Sequence, residues 1–574
     1  MFDLVVKGGR VLDGTGGPAM VADIGIRDGR IAAIEPRLDA EAGEVIDATD
    51  RVVTPGFVDV HCHYDGQVTW DGLLEPSTPH GVTTMVMGNC GVGFAPVRPA
   101  DRQALIELME GVEDIPGAAL SEGISWEWES FPEYLDALEG RRWAADVGTQ
   151  LPHGALRTYV MGPARSGDAA SSDDIEAMAR LTREAVEAGA VGFTTSRTLG
   201  HRSVDGQPVP GTFAPDEELG ALARAVADGG ARIFEVAASG LAATDDPAIV
   251  AGELDWIGKL AAATGLTTTF ILLQCNDAPN RWREELARAA AWRAGGAAVV
   301  PLIAGRSAGV LWSWAVRHPF SARPSYRAVA HLPIEERIEA LRDPARRAAI
   351  LGEEDEYRDF IETRHGERVK ATLARCFSLV GTPDYEQTPD RRLDARAARA
   401  GVSLESVAYD ELLREGAFLL LPLYNYSDGD HQALYEQFGD PDAVVALNDG
   451  GAHSATICDA SIPTYLLTHW VRDRRRGPRL ELADVVRRLT SHPADLYGLT
   501  DRGRLAVGLR ADLNVLDTEA MTLGMPVAVD DLPAGGTRLL QGATGYDATI
   551  VAGEVTRRHG VDTGARPGRL LRRP

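Results

Sequence analysis

The middle of the chain alternates short apolar runs with helix-length amphipathic segments, whereas both ends alternate short apolar runs with tight turns. Eight windows read as strands: 57–62, 83–89, 145–150, 190–195, 232–237, 268–273, 298–303 and 443–448. Runs of this length, bounded by turn residues, fit strands buried on both faces, the kind found in parallel sheets covered by helices. Most are separated by segments with helical spacing of apolar residues, such as Ile175 to Ala188, with Ser172 placed as N-cap, and Glu217 to Ala227. Eight strand–helix units predict an α/β protein, a (β/α)8 TIM barrel whose chemistry sits at the C-terminal strand ends.

The ends of the chain read differently. Leu4-Val5-Val6 precedes Gly8-Gly9, Val11-Leu12 precedes Asp13-Gly14, and Ile24-Gly25-Ile26 precedes Asp28-Gly29. These are hairpin signals. Residues 1–54 are too few for a complete antiparallel domain, and 511–516 and 548–553 have the same β-rich character. The sequence therefore predicts a small β-sandwich formed by both termini, 1–54 with 500–574, around a barrel domain of 55–499. Segment 305–442, between strands seven and eight, contains helical stretches and the run Leu423-Tyr424-Asn425-Tyr426. A connection this long at the catalytic mouth is expected to be an insertion acting as a lid.

Composition narrows the function classes. Lys plus Arg number 58 against 84 Asp plus Glu, a net charge of −26, which argues against nucleic acid or an anionic membrane as partner. Five widely spaced cysteines imply no disulfide framework. The opening MFDLVVKGG has no basic segment leading into an apolar one, and no later run approaches a membrane span, so a cytoplasmic protein is expected. The expected partner is a small molecule, and assembly into a homo-oligomer is compatible with the sequence.

The first barrel strand ends in His61-Cys62-His63, after the turn signal Thr54-Pro55-Gly56. Alternation along a strand puts His61 and His63 on one face, about 7 Å apart, as half of a metal site. Arg197 and His201 follow the fourth strand at the same mouth and are expected to touch substrate.

The chain resembles the amidohydrolase superfamily in VVKGGRVLDGTG, VVTPGFVDVHCH and GRLAVGLRADLNVLD. Within it the resemblance is to the D-aminoacylase (N-acyl-D-amino-acid deacylase) branch. It rests on HGVTTMVMGNCGVGFAP (80–96), WEWESFPEYLDAL (126–138), AVGFTTSRT (190–198), NDGGAHS (448–454) and DTGARPGRLLR (562–572). The resemblance implies hydrolysis of a C–N (amide) bond by a zinc-dependent enzyme. It implies His61, His63, Cys90 and Asp449 as metal ligands, with Asp449 also carrying the proton between attacking water and leaving nitrogen. His453 keeps the spacing of the branch's SDGxPH pattern and is expected to assist the oxyanion.

The chain also departs from that branch. The histidines expected at strands five and six are replaced, in RIFEVAASG and TTTFILLQCND, by Glu235 and Gln274. Loss of two ligands predicts a single zinc ion. Glu235 then has a ligand, catalytic or structural role, and Gln274 contacts substrate. The lysine and the HPR arginine that hold the substrate carboxylate in the branch are absent, and Arg306 is the expected replacement. A non-standard N-acyl or amide substrate is therefore expected. Hydrolysis of a cyclic amide, lactone or ester, and ligand binding without turnover, are the alternatives.

Overall fold

The computed structural model describes residues 1–239 and 247–573. The chain begins with β1 (Phe2–Val11), β2 (Met20–Arg27), β3 (Arg30–Glu35), β4 (Ala42–Asp47) and β5 (Val52–Pro55). The turn between β2 and β3 is the Asp28-Gly29 pair, both at positive φ (52° and 71°), the twist that a two-residue hairpin requires.

Next come β6 (Phe57–Asp59), β7 (Val82–Met87), β8 (Asp146–Thr149), β9 (Leu151–Pro152), β10 (Gly192–Ser196), β11 (Ile233–Ala237), β12 (Thr267–Ile271) and β13 (Val299–Ile303). Each except β9 overlaps a window expected as strand, and β9 continues the run of β8 after a break at Gln150. All their pairings are parallel: β6 with β7, β7 with β8, and then β9 through β13 in succession. Parallel neighbours need crossovers, and helices supply them. One is Ser172–Ala188, started by a capping box in which Ser171, one residue before the expected Ser172, accepts from the Asp174 amide.

After β13 the chain leaves the parallel strands. It forms β14 (Gly309–Trp312), β15 (Phe377–Leu379) and β16 (Phe418–Pro422), an antiparallel sheet of order β14–β16–β15. Trp312, Trp314, Phe320, Tyr326, Leu341 and Leu419 pack there as an apolar cluster separate from the main core. Truncating either buried indole to alanine would cost about 3–5 kcal/mol, so the insertion holds itself together. The chain returns as β17 (Val444–Val445), parallel to β13. Just beyond it, Asp449 N donates to His61 O (3.2 Å) and His63 N donates to Gly450 O (2.7 Å). The parallel pairings thus fall in two sets, β6–β7–β8 and β9 through β13 to β17, and the segment after β17 bonds to the end of β6.

The C-terminal strands are β18 (Leu513–Leu516), β19 (Thr522–Leu532), β20 (Gly536–Thr544), β21 (Tyr546–Val551), β22 (Glu554–Arg558), β23 (Val561–Asp562) and β24 (Leu570–Leu571). β18 pairs with β5 from the other end of the chain, joining both termini in one nine-stranded sheet with its own apolar cluster; β19 and β20 form a separate hairpin. β24 pairs in parallel with β8. Asp146, at the start of β8 and 1% exposed, receives Arg502 (2.5 Å) and Arg510 (2.9 Å) from the C-terminal segment. Breaking such a buried pair from one side costs roughly 3–5 kcal/mol, which fixes that segment to the strands. No helix among the described residues is long and apolar enough to cross a membrane.

Candidate metal centre

The β6 strand delivers His61 and His63 side by side, their rings 5.4 Å apart, and both are at most 2% exposed. Cys90 arrives from the turn after β7, at φ 56° between Gly88 (φ 87°) and Gly91 (φ 71°). Those glycines are needed for two reasons. A Cβ on Gly88 would lie 2.5 Å from Gln150 O, and one on Gly91 would lie 2.7 Å from Ser196 N. Thr194 on β10 clamps the same turn, donating to Gly88 O (2.5 Å) and accepting from Gly91 N (3.0 Å). Asp449 (φ 48°) and His453 (φ 47°) are also left-handed. Each non-glycine residue in that region costs about 1–2 kcal/mol, so surrounding contacts hold these side chains in place.

Ligand atoms of His61, His63 and Cys90 lie within 4.8 Å of one another. Cys90 Sγ is 3.6 Å from His61 Nε2, and Asp449 Oδ1 is 3.5 Å from His61 Nε2 and 3.9 Å from His63 Nε2. Atoms that share a tetrahedral zinc ion with bonds of about 2.0–2.3 Å sit roughly 3.3–3.8 Å apart. Thiolate, imidazole and carboxylate are also the ligand types zinc takes.

Behind each imidazole lies a buried carboxylate. Glu235 Oε1 is 3.3 Å from His61 Nδ1, and Glu113 Oε1 is 3.5 Å from His63 Nδ1. None of these four atoms has a hydrogen-bond partner. Glu235, fully buried on β11 in register with Thr194 and Thr269, receives Gln150 Nε2 on its other oxygen (3.2 Å), and Gln150 also donates to Asn89 Oδ1 (2.8 Å). Each histidine thus turns Nε2 to the centre and Nδ1 toward a carboxylate 3.3 or 3.5 Å away, the side on which a hydrogen bond to an outer partner sets the tautomer of a metal-binding imidazole.

Electrostatics point the same way. Burial lowers the pKa of His61, but the Glu235 carboxylate outweighs it, helped by Asp449 and Glu113, and the value rises to about 9. Burial, then the charges of Glu113, Glu235 and Asp449, pushes the Cys90 thiol well up. Burial and Asp449 likewise raise Glu113. With the Cys90 thiol and Glu113 pushed up by burial, protons neutralise the site, and a cation bound by these groups would displace them. The residues present therefore fit a zinc ion.

These groups open onto a cavity of about 450 Å³, lined also by His201, His453, Asp114, Arg317, Arg364, Arg368 and Tyr424. His201 is held by Ser196 Oγ (2.9 Å), and burial, with the neighbouring charge of His453, lowers it to about 3, so the ring is neutral. His453 Nε2 lies 3.7 Å from Glu113 Oε2, which places Glu113 between His63 and His453.

Three expected substrate contacts are corrected. Gln274 is fully buried and bound to the insertion: Nε2 donates to Asp428 (2.8 Å) and Oε1 accepts from Ser427 N (3.1 Å). Arg306 is committed to Asp459 (2.9 Å) and stacks on Tyr385, 3.8 Å from its ring centre. Arg197 binds Glu253 (2.6 Å) and Ala214 O (2.9 Å). None of the three lines the cavity. Glu113 was missed by sequence reasoning. It is the last residue of the amphipathic helix Arg102–Glu113, and nothing in EGVED marks it as buried.

Residues 44–557 match the Amidohydrolase family, and the chain belongs to it. Within that family it belongs to the D-aminoacylase branch, whose members are hydrolases of C–N bonds. It is 29% identical over 526 residues to an N-acyl-D-glutamate deacylase of Alcaligenes xylosoxydans xylosoxydans, covering 91% of this chain and 88% of that one. It is 38% identical to a D-aminoacylase of the same organism over 194 residues, which is 34% of this chain and 37% of the relative, so that match spans only about a third of either protein. Among solved structures it resembles N-acyl-D-glutamate deacylase from Bordetella bronchiseptica, complexed with zinc and a phosphonate inhibitor, with TM-score 0.66, 26% identity and full coverage of both chains. A D-aminoacylase structure matches in fold, with TM-score 0.65 at 23% identity over the whole of both chains.

Glu235→Gln tests the carboxylate behind His61. Zinc affinity is expected to fall about 10–100-fold with the fold intact, as is usual when such a partner is lost. Competition with a chromogenic chelator measures it, and an unchanged affinity would remove Glu235 from the site.

Proposed function

We propose that the chain is a zinc-dependent hydrolase of an amide bond, related to D-aminoacylases but acting on a non-standard N-acyl or amide substrate. In this reading the parallel strands form a (β/α)8 barrel over 55–499, the two termini form a composite β-sandwich, and 305–442 lies over the mouth. One observation carries the functional reading. His61, His63 and Cys90 offer ligand atoms within 4.8 Å of one another, with Asp449 Oδ1 3.5 Å from His61 at the open side.

His61, His63, Cys90 and Asp449 would hold a zinc ion, which would supply Lewis acidity toward water and the amide carbonyl. Asp449, whose side chain is 24% exposed while the imidazoles are 1% exposed, is the carboxylate that also meets solvent and substrate. It takes the proton of the attacking water and passes it to the leaving nitrogen. Glu235 and Glu113 keep His61 and His63 in one tautomer. His453, at the cavity wall, donates to the oxygen on which negative charge develops.

The test is hydrolysis of a panel of N-acyl-D- and N-acyl-L-amino acids, cyclic amides, lactones and esters by zinc-loaded and chelator-treated protein. Zinc-dependent release of an amine from at least one open-chain amide is expected. Turnover confined to esters, lactones or cyclic amides, or binding without any turnover, would contradict the reading.

A further inference from the structure

The insertion sends one helix, Phe360–Thr372, to the cavity, and it carries arginines one turn apart at 364 and 368. Positions i and i+4 share a helix face, and both arginines line the cavity that contains His61, His63, Cys90 and Asp449. Several arginines of the insertion are neutralised by carboxylates: Arg323 meets Asp355 and Glu405, Arg327 meets Glu362, and Arg347 meets Asp410. Among the described residues neither Arg364 nor Arg368 is within ion-pairing distance of a carboxylate, and their side chains make a single hydrogen bond, from Arg364 to Gly200 O (3.0 Å).

Two of the carboxylates that line the cavity are already engaged. Asp114 holds Arg317 (2.8 Å) and Thr456 (3.1 Å), and Asp459 holds Arg306 (2.9 Å). Burial, then the neighbouring charges of Arg368 and Arg202, lowers Arg364 below its usual value despite the opposing pull of Asp114. Two half-buried guanidinium groups that repel each other at a cavity wall, in a chain of net charge −26, are a site waiting for an anion.

Building on the hydrolase reading above, we infer that Arg364 and Arg368 form the anion subsite of this cavity, and that the substrate is an amide bearing a carboxylate which they bind. The insertion thereby supplies the charge partner that Arg306, tied to Asp459, does not. The zinc-binding end of the cavity handles the amide carbonyl, and the helix end selects for an acid over its neutral analogue.

Calorimetric titration of zinc-loaded protein with N-acetyl-D-glutamate, N-acetyl-D-leucine and N-acetyl-D-leucinamide tests this without requiring turnover. The parent is expected to bind at least one acid, and more tightly than the amide. Arg364→Gln with Arg368→Gln should weaken binding of the acid about 10–100-fold, the loss of a charge-assisted contact, and leave the amide unchanged. Arg368→Lys in the parent background should keep most of the preference for acid. Zinc content and thermal midpoint serve as controls. If the parent binds none of the acids, if it fails to prefer acid over amide, or if the double variant keeps the preference, the subsite is refuted. If the acid preference depends on the arginines but the hydrolysis panel described above gives no turnover of any open-chain amide, the subsite stands and the hydrolase reading falls.

Discussion

Asp449→Asn is expected to fold as the parent does and to lose about 10²–10⁴-fold in kcat, the usual contribution of a positioned proton carrier. The asparagine keeps the size of the side chain and can still offer an oxygen to the centre, but it cannot accept the proton of the attacking water. The backbone should tolerate it, since asparagine adopts the left-handed conformation found here (φ 48°) as readily as aspartate. Steady-state kinetics on zinc-loaded protein, with metal content checked in parallel, separates loss of proton transfer from loss of zinc. A variant that retains near-parental kcat would show that another group carries the proton.

Cys90→Ser is the second large effect. The parent thiol is held protonated by burial and by Glu113, Glu235 and Asp449 until a cation arrives. Zinc binding must therefore expel that proton, and the affinity of the parent should rise with pH across the neutral range. Serine keeps the shape and most of the polarity but gives up the thiolate. Zinc affinity should fall by more than the roughly 10–100-fold that losing an outer partner costs, and its rise with pH should become shallower by about one proton. Titrations against a competing chelator at several pH values measure both. Equal affinities and equal slopes for parent and variant would place Cys90 outside the metal site.

Much of this arrangement was legible in the chain. His61 and His63 stand out because a period of two at a strand end puts them on one face, and Gly88 and Gly91 around Cys90 mark a turn that needs positive φ. The Asp28-Gly29 hairpin and the apolar runs of the parallel strands were equally local signals. What the sequence misled about depends on partners far along the chain. Position near a strand end fixes where the backbone of Gln274, Arg306 and Arg197 sits but not which way their side chains turn. Their turning is decided by Asp428, Asp459 and Glu253, which are 154, 153 and 56 residues away.

Glu113, Arg364 and Arg368 failed to show for the opposite reason. Charged residues on amphipathic helices normally face water, so nothing local distinguishes a glutamate packed between His63 and His453 or two arginines turned into a cavity. Gln274 also changes how the missing family histidines are understood. It is bound to Asp428 and Ser427 and does not line the cavity, whereas Ile271 and Leu273 of the same segment do.

The measurement that bears most directly on the whole account is zinc stoichiometry with X-ray absorption at the zinc edge, on protein dialysed against a weak chelator. One ion per chain, bound by one sulfur with nitrogen and oxygen ligands and required for hydrolysis, is the predicted result. Two tightly held ions, or a single ion with no sulfur ligand, would contradict it.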